Sequence, residues 1–244
     1  MINIIIPMAG EGKRFLDRGI TTPKPLIKIL DKPFISYVIN SINIQNAKYH
    51  FLIRKSHYEN YDFEKIFKAN KLNYDVTVVD KTTEGAVSTT LLCRDKVDHN
   101  NPLIVKDCDQ ILNWDPESFF KFSKRKKADG IIVTLPTINP GFSFVKLEDD
   151  QSTVIETKEK QVISSFGNTG LYFFLNTGEY FKYSDVMIKK NIRVNNEFYV
   201  SQVYNEYIQD LKKIIHYPIP EIFSINTPEE LNENRLNIEE FIKE

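Results

Sequence analysis

The sequence has few cysteines and no long apolar run, and both shortages exclude classes of protein. Its two cysteines, Cys93 and Cys108, fit neither a zinc spacing nor a disulfide framework. No apolar stretch approaches the roughly 20 residues that a helix needs to cross a bilayer. The N-terminal residues show no signal-peptide pattern. We therefore expect a cytoplasmic protein without a membrane span.

An excess of charge of either sign is also missing. The chain carries 32 Lys and Arg against 33 Asp and Glu, which gives a formal net charge of −1. Nucleic acid is therefore not expected as a partner, and any site for a polyanion must be local. No Gly-, Pro- or Ser-rich linker and no repeat divides the 244 residues, so we expect one domain over 1–244.

Short runs of Ile and Val alternate with helical patterns up to about residue 130. The predicted strands are 2–7, 49–54, 75–79 and 102–106. The predicted helices lie near 34–42, 60–70, 84–95 and 116–127. Strands separated by helices favour right-handed crossovers and a mostly parallel sheet.

The spacing of the strands changes after residue 130. Strands are predicted at 130–135, 142–147, 153–158 and 170–175, with a hairpin that turns at Asp149 and Asp150. Helices near 177–190 and 197–212 and a short strand pair within 214–225 follow. Thr227, Pro228 and Glu230 form a capping-box pattern that opens a last helix. The sequence thus predicts an α/β fold with a central, mostly parallel sheet and an antiparallel β-ribbon from about 142 to 175.

The first predicted strand ends in the loop "PMAGEGKRF", residues 7–15, which carries two glycines and two cations. A dinucleotide fingerprint needs glycine where Phe15 stands, and a Walker A loop needs a wider glycine spacing and Ser or Thr where Arg14 stands. The pattern that remains is G-x-G-x-R, followed by "TTPKPL" at 21–26. Glycines let backbone N–H groups converge on phosphate oxygens, while Arg14 and Lys24 supply positive charge. The loop is therefore a candidate phosphate site.

Several segments in order resemble the sugar-phosphate nucleotidyltransferases, which have a Rossmann-like, GT-A-type fold. They are "IIIPMAGEGKRF" with "TTPKPLIKILDKPF", then "TTEGAVSTTLL", "LIVKDCDQI", "ETKEKQ" with "NTGLYFF", and "INTPEEL". The resemblance extends along nearly the whole chain, and the nearest subgroup is one found in bacterial capsule-polysaccharide loci. It implies transfer of a nucleotidyl group from an NTP to a sugar phosphate or related phosphomonoester, with release of pyrophosphate.

The resemblance also implies which residues do this work. Residues 1–130 would form the nucleotide half and 131–244 the acceptor half. Arg14, Lys24 and Asp109 would be catalytic, and Asp109 would hold Mg²⁺. The implied nucleotide-binding residues are Met8, Ala9, Gly10, Glu11, Gly12, Lys13, Arg14, Lys24, Glu84, Gly85, Ala86 and Asp107. The implied acceptor-binding residues are Glu159, Lys160, Asn168, Gly170 and Glu197.

Two positions depart from the family pattern. Ser224 stands where the family usually has a second metal-binding aspartate. Either the metal keeps extra waters, or a carboxylate comes from elsewhere, for which Glu197 is one candidate. Gln161 stands where the family motif E-K-P has proline, which affects the acceptor side. The small loop of Gly85 and Ala86 is compatible with a pyrimidine or a purine base, and we favour a pyrimidine nucleotide, CTP or UTP/dTTP. The acceptor and the oligomeric state are left open.

Two other functions compete with this interpretation. Asp107 and Asp109 also form a D-x-D motif, which GT-A-type glycosyltransferases use to hold a metal against a nucleotide sugar. A non-catalytic nucleotide sensor with a degraded metal site is the third hypothesis. The glycosyltransferase hypothesis does not explain G-x-G-x-R together with P-K-P-L, whose cations suit a triphosphate.

Overall fold

The fold is known from a computed structural model, which describes residues 1–243. Its strands are β1 (Ile2–Met8), β2 (Lys28–Ile29), β3 (Lys32–Pro33), β4 (Ala47–Arg54), β5 (Tyr74–Val79), β6 (Leu103–Lys106), β7 (Gln110–Asn113), β8 (Gly130–Pro136), β9 (Ser143–Leu147), β10 (Val154–Glu159), β11 (Phe166–Phe174), β12 (Ile214–Pro218) and β13 (Glu221–Ser224). Its α-helices are α1 (Lys13–Leu16), α2 (Phe34–Ile42), α3 (Lys55–Asn60), α4 (Phe63–Ala69), α5 (Ala86–Thr90), α6 (Pro116–Lys126), α7 (Thr177–Lys189), α8 (Val200–Gln209) and α9 (Pro228–Lys243). Short 3₁₀ helices cover Lys24–Leu26 and Leu91–Lys96.

One large sheet contains strands from both halves of the chain. Its main order is β5–β4–β1–β6–β11–β8–β12. Every pair in this order is parallel except the two that β11 makes, with β6 and with β8. The predicted mostly parallel sheet is therefore confirmed, with β11 as the strand that runs against the others.

The predicted antiparallel ribbon is also present. β9 and β10 pair antiparallel, and β9 attaches to β11 through Gly167 and Phe144. Asp150 closes the turn between β9 and β10, because its Oδ1 accepts the N–H groups of Ser152 and Thr153, each at 2.8 Å.

The sheet is covered on both faces, as the alternation in β1 requires. Ile4 and Ile6 face one apolar cluster with α2, α4, α6 and α9, whereas Ile5 faces a second cluster with α5, α7 and α8. Five aromatic residues from the second half of the chain are buried in these clusters: Phe173, Phe174, Tyr180, Phe181 and Tyr183. They are core residues.

The helix expected near 60–70 is present as α4, which Asp62 caps through a bond from Lys65 N to its Oδ1 at 2.9 Å, whereas α3 just before it was not predicted. Two other local predictions were wrong. The strands within 214–225 do not pair with each other, since β12 joins β8 and β13 joins β7. The helix expected at 84–95 turns into a 3₁₀ helix at Leu91.

The predicted N-cap of the last helix is confirmed, because Glu230 N donates to Thr227 Oγ1 at 3.1 Å. Glu230 Oε2 accepts the N–H of Asn226, one residue before the N-cap, at 2.9 Å, so the box closes one residue earlier than predicted. None of the described helices is long and apolar enough to cross a membrane.

Candidate active site

A cavity of about 360 Å³ lies at the carboxyl ends of β1 and β6. Parallel α/β sheets bind ligands at this edge, because the loops that follow the strands meet there. The predicted residues that line it are Met8, Ala9, Gly10, Gly12, Lys24, Gly85, Ala86, Asp107, Asp109 and Glu197. A larger groove of about 910 Å³ between α2, α4 and the β2–β3 hairpin contains none of the predicted residues.

An ion pair between Lys24 and Asp109 forms the centre of this cavity. Lys24 Nζ contacts Asp109 Oδ2, and the two side chains are only 22% and 14% exposed. Although burial opposes both charges, the partner carboxylate raises the pKa of Lys24, and Lys24 lowers the pKa of Asp109. Both groups are therefore charged at neutral pH.

Asp107 has a different environment from Asp109. Burial, with the charge of Asp109 beside it, raises the pKa of Asp107 to about 7. Its backbone N–H donates to Gly170 O at 2.8 Å. A Cβ on Gly170 would lie 2.5 Å from Asp107 Oδ2, so only glycine fits there. Gly170, predicted on the acceptor side, thus packs directly against this carboxylate.

A buried lysine stands behind the two aspartates. Lys106 is fully buried at the end of β6, and its Nζ donates to Asp107 O at 2.9 Å. Burial lowers the pKa of Lys106, and the charges of Asp107 and Asp109 act against that effect. Two lysines and two aspartates are therefore packed together at the floor of the cavity.

The candidate phosphate loop is mostly exposed between Gly10 and Arg14. Gly12 adopts φ +70° immediately before α1, while Lys13 and Arg14 point to solvent. Among residues 1–243 no carboxylate forms a salt bridge with the Arg14 guanidinium, which leaves it available for an anion. Glu11 is also exposed and lies outside the cavity lining.

The loop at 82–86 has a structural reason for its glycine. Gly85 adopts φ +111°, and a Cβ there would lie 2.6 Å from Phe198 N. Phe198 N donates to Glu84 O at 2.7 Å, and Val87 N donates to Phe198 O at 3.1 Å. This close backbone contact brings Glu197, beside Phe198, to the cavity. Glu84 itself is exposed and pairs with Arg193 Nη1 at 2.7 Å.

Of the predicted acceptor residues, Glu197 lies in the cavity wall, whereas Glu159, Lys160, Asn168 and Gly170 lie beside the cavity. Lys160 Nζ donates to Tyr199 Oη at 2.7 Å, and Tyr199 lines the cavity. Glu159 Oε2 accepts from Ser201 Oγ at 2.9 Å, and burial raises the pKa of Glu159. Asn168 is buried, and within residues 1–243 both of its amide atoms lack a hydrogen-bond partner. An unpartnered buried amide of this kind suits a ligand.

Ser224 lies near the centre but makes another contact. β13 pairs with β7 so that Ser224 is opposite Gln110, and Ile225 N donates to Asp109 O at 3.1 Å. The Ser224 hydroxyl donates to Glu230 Oε2 at 3.0 Å. No cluster of three or more His, Cys, Asp or Glu side chains suited to a metal occurs in the described part of the chain.

Sequence reasoning missed several residues of the cavity wall. They are Pro7, Pro25, Thr82, Thr83, Thr89, Cys108 and Tyr199. Thr82 and Thr83 directly precede the predicted residues Glu84, Gly85 and Ala86, so their place in the sequence was a signal for them. Tyr199 gave no local signal, because its position depends on the packing of Phe198 against Gly85.

The fold and the cavity define the class of this protein: an α/β protein with a candidate ligand site at the carboxyl edge of its sheet. A family model described as nucleotidyl transferase matches residues 3–214, and the chain belongs to that family. The predicted family is thereby confirmed, and the glycosyltransferase alternative is not favoured.

Known relatives agree with this assignment. The chain is 24% identical over 177 residues to a zebrafish (Danio rerio) mannose-1-phosphate guanylyltransferase catalytic subunit beta, covering 70% of this chain and 49% of the relative. It is 26% identical over 176 residues to the bifunctional protein GlmU of Methanocaldococcus jannaschii, covering 71% and 40%. The chain thus spans about half or less of the length of these curated relatives.

Solved structures show the same fold. A nucleoside-diphosphate-sugar pyrophosphorylase from Vibrio cholerae RC9 superposes with a TM-score of 0.80 at 25% identity, covering 94% of this chain and 98% of that one. An inositol-1-phosphate CTP transferase from T. maritima superposes with a TM-score of 0.78 at 14% identity, covering 99% and 96%. The predicted GT-A-type nucleotidyltransferase fold is confirmed.

Proposed function

We propose that this chain joins an NTP to a sugar phosphate or a related phosphomonoester and releases pyrophosphate. The observation that carries the proposal is the placement of Lys24, Asp109 and the 9–12 loop around one cavity at the sheet edge. Family membership supplies the reaction class. The single domain over 1–244, the cytoplasmic location and a role in capsule assembly remain sequence-based proposals.

The reaction needs charge and positioning more than proton transfer. An oxygen of the acceptor phosphate forms a new bond to the α-phosphorus, and the bond from that phosphorus to the bridging oxygen breaks. Pyrophosphate leaves with the electron pair. The attacking oxygen is already anionic at neutral pH, so the protein has to bring two anions together and stabilise the charge on the transferring group.

Each cation has a proposed task. Lys24, at the centre of the cavity, binds the α-phosphate once it leaves Asp109. Arg14, exposed in α1 just after the loop, binds the β- and γ-phosphates and stabilises the leaving pyrophosphate. Lys160 binds the acceptor phosphate beside Tyr199, to which it already donates a hydrogen bond.

Asp109 fits the role of a Mg²⁺ ligand. Its Oδ1 is buried and, within residues 1–243, has no hydrogen-bond partner, and its lowered pKa keeps it ionised. Mg²⁺ takes one or two protein carboxylates and completes its shell with water and substrate phosphates, so one aspartate is sufficient. When bound, the ion would neutralise phosphate charge. Glu197, in the same cavity wall, is the proposed second carboxylate.

The proposed base is a pyrimidine. The loop that would hold it presents only small residues to the cavity: Thr82, Thr83, Gly85 and Ala86. The cavity of about 360 Å³ is near the lower end of the usual range for ligand sites, and a pyrimidine has one ring fewer than a purine.

The test is an activity assay over all combinations of nucleotide and acceptor. The purified protein is incubated with each NTP, Mg²⁺ and a set of sugar phosphates and other phosphomonoesters, and pyrophosphate release is measured. We expect release that requires both substrates, stops with EDTA and returns with excess Mg²⁺. Turnover of a nucleotide sugar without pyrophosphate would support the glycosyltransferase instead, and NTP binding without either reaction would support the sensor.

A further inference from the structure

Arg54, the last residue of β4, connects two loops that are distant in sequence. Its Nε donates to Ala9 O at 3.2 Å. Its Nη2 donates to Thr82 Oγ1 at 2.6 Å and lies 3.3 Å from Glu11 Oε1. The Thr82 hydroxyl donates to the same Glu11 oxygen at 2.8 Å. Four residues from three segments therefore form one network, which we call the Arg54 clamp: Ala9, Glu11, Arg54 and Thr82.

The Arg54 clamp spans the nucleotide cavity. Ala9 lies in the wall formed by the loop after β1, and Thr82 lies in the wall formed by the loop after β5. Arg54 does not line the cavity, and its side chain is only 17% exposed, so water competes little for its donors. Arg54 therefore contacts a residue in each of the two walls without lining the cavity itself.

We propose that Arg54 is a positioning residue for the nucleotide, holding the 9–12 loop at a fixed distance from the 82–86 loop. The inference deepens the proposed function and rests on it. A loop that must be ordered during binding weakens affinity, because its conformational entropy is lost at that moment. A loop already held in place avoids that loss. The planar guanidinium suits the task, since its donors can reach a carbonyl and a hydroxyl at once.

The clamp also controls charge near the phosphate loop. Glu11 adjoins Gly10 and Gly12, where a triphosphate is proposed to bind. Hydrogen bonding by Thr82 and the charge of Arg54 lower the pKa of Glu11, so this carboxylate is ionised at neutral pH. Without Arg54, its negative charge would be less compensated and would repel the nucleotide. Loss of Arg54 should therefore weaken nucleotide binding more than acceptor binding.

Lys55 provides a matched control. It follows Arg54 directly, and its Nζ lies 3.6 Å from Asp80 Oδ1. It therefore connects the end of β4 to the segment after β5, as Arg54 does, but its salt bridge does not involve the 9–12 loop. Its side chain is 54% exposed. Lys55→Ala should leave nucleotide affinity and turnover unchanged.

The experiment compares the wild type with Arg54→Ala, Arg54→Lys, Thr82→Val and Lys55→Ala. Calorimetry gives the Kd of an NTP analogue with a non-cleavable α,β-methylene bridge, and steady-state kinetics give kcat and the KM of each substrate. For Arg54→Ala we expect about a tenfold rise in the Kd and KM of the nucleotide, with kcat and the acceptor KM within twofold. Arg54→Lys should recover only part, because one ammonium replaces a fork of donors.

Thr82→Val makes the result independent of how well Arg54→Ala folds. It removes one hydroxyl from an exposed residue of the clamp, and about a threefold rise in nucleotide Kd is expected. Nucleotide affinity of wild-type strength in both Arg54→Ala and Thr82→Val would overturn the positioning role. So would an equal loss of kcat and melting temperature in Arg54→Ala and Lys55→Ala, because that pattern indicates structural damage. Failure of the wild type to bind any NTP would overturn the proposed function itself.

Discussion

The Lys24–Asp109 pair allows stability and catalysis to be separated in one set of variants. Asp109→Asn keeps the size of the side chain but leaves the ammonium of Lys24 without its nearest counter-charge. Losing one partner of a buried pair costs about 3–5 kcal/mol. Since these side chains are 22% and 14% exposed, water offsets part of that cost, and we expect the free energy of unfolding to fall by about 2 kcal/mol. For a chain of this size that lowers Tm by about 4–8 °C.

The double variant Lys24→Met with Asp109→Asn removes both charges together. Because no unpaired charge remains, it should regain most of the stability that either single variant loses. Activity should not return. Lys24 and Asp109 are proposed to act on the substrates through separate contacts. Pyrophosphate release should therefore stay at least about 100-fold below the wild type in Lys24→Met, in Asp109→Asn and in the double variant.

The assays are thermal melts and pyrophosphate release at saturating substrates and excess Mg²⁺. Asp107→Asn is the control, because of the two aspartates only Asp109 is proposed to hold the metal, and the loss in Asp107→Asn should be much smaller. Recovery of activity in the double variant would refute the reasoning, since the pair would then be structural only. Equal loss of activity in Asp107→Asn and Asp109→Asn would favour the glycosyltransferase, in which both carboxylates of the D-x-D motif serve the metal site.

Three further perturbations test other parts of the molecule. Arg14→Ala should lower turnover by about 100-fold or more without changing Tm, because the side chain is exposed; normal turnover would remove Arg14 from the site. Lys160→Ala should raise the acceptor KM or lower kcat while the nucleotide Kd, measured by calorimetry, stays constant; a matching loss of nucleotide affinity would contradict its assignment to the acceptor. His50→Leu should protect the fold against acid. Burial lowers the pKa of His50 to about 4, with Lys48, Asp75 and Lys96 as the charged groups around it. The unfolded chain therefore binds the proton first, and stability is lost as the pH falls from about 6.5 towards 4. Urea titrations at pH 7 and pH 4 should show a loss that is about 3 kcal/mol smaller in the variant, and equal losses would disprove the assignment.

Much of the fold followed from the sequence because burial and periodicity are local properties. The run Ile2–Met8 is a buried strand, and the phosphate loop follows it directly. Asp109 comes three residues after the end of a strand, so its place at the carboxyl edge of the sheet was foreseeable. The cap at Thr227 depends on neighbours within three residues and was equally readable.

Other features depended on contacts between distant parts of the chain. Nothing near β12 or β13 indicates that they pair with β8 and β7 and not with each other, because strand periodicity identifies a strand but not its partner. β7 was not predicted as a strand for a related reason, because it pairs with β13, which is distant in the sequence.

The site divides in the same way. The residue types, Gly, Arg, Lys and Asp, indicated a phosphate site from the sequence, and the resemblance to a known family implied the reaction class. The tertiary structure decided which of them meet: Lys24 pairs with Asp109 across 85 positions, and Gly85 is required by the backbone of Phe198. Arg54 carries no motif at all, and only the convergence of β4 with two loops gives it a role. Local chemistry is encoded in local sequence, whereas the identity of a contact across the fold emerges only when the whole chain packs.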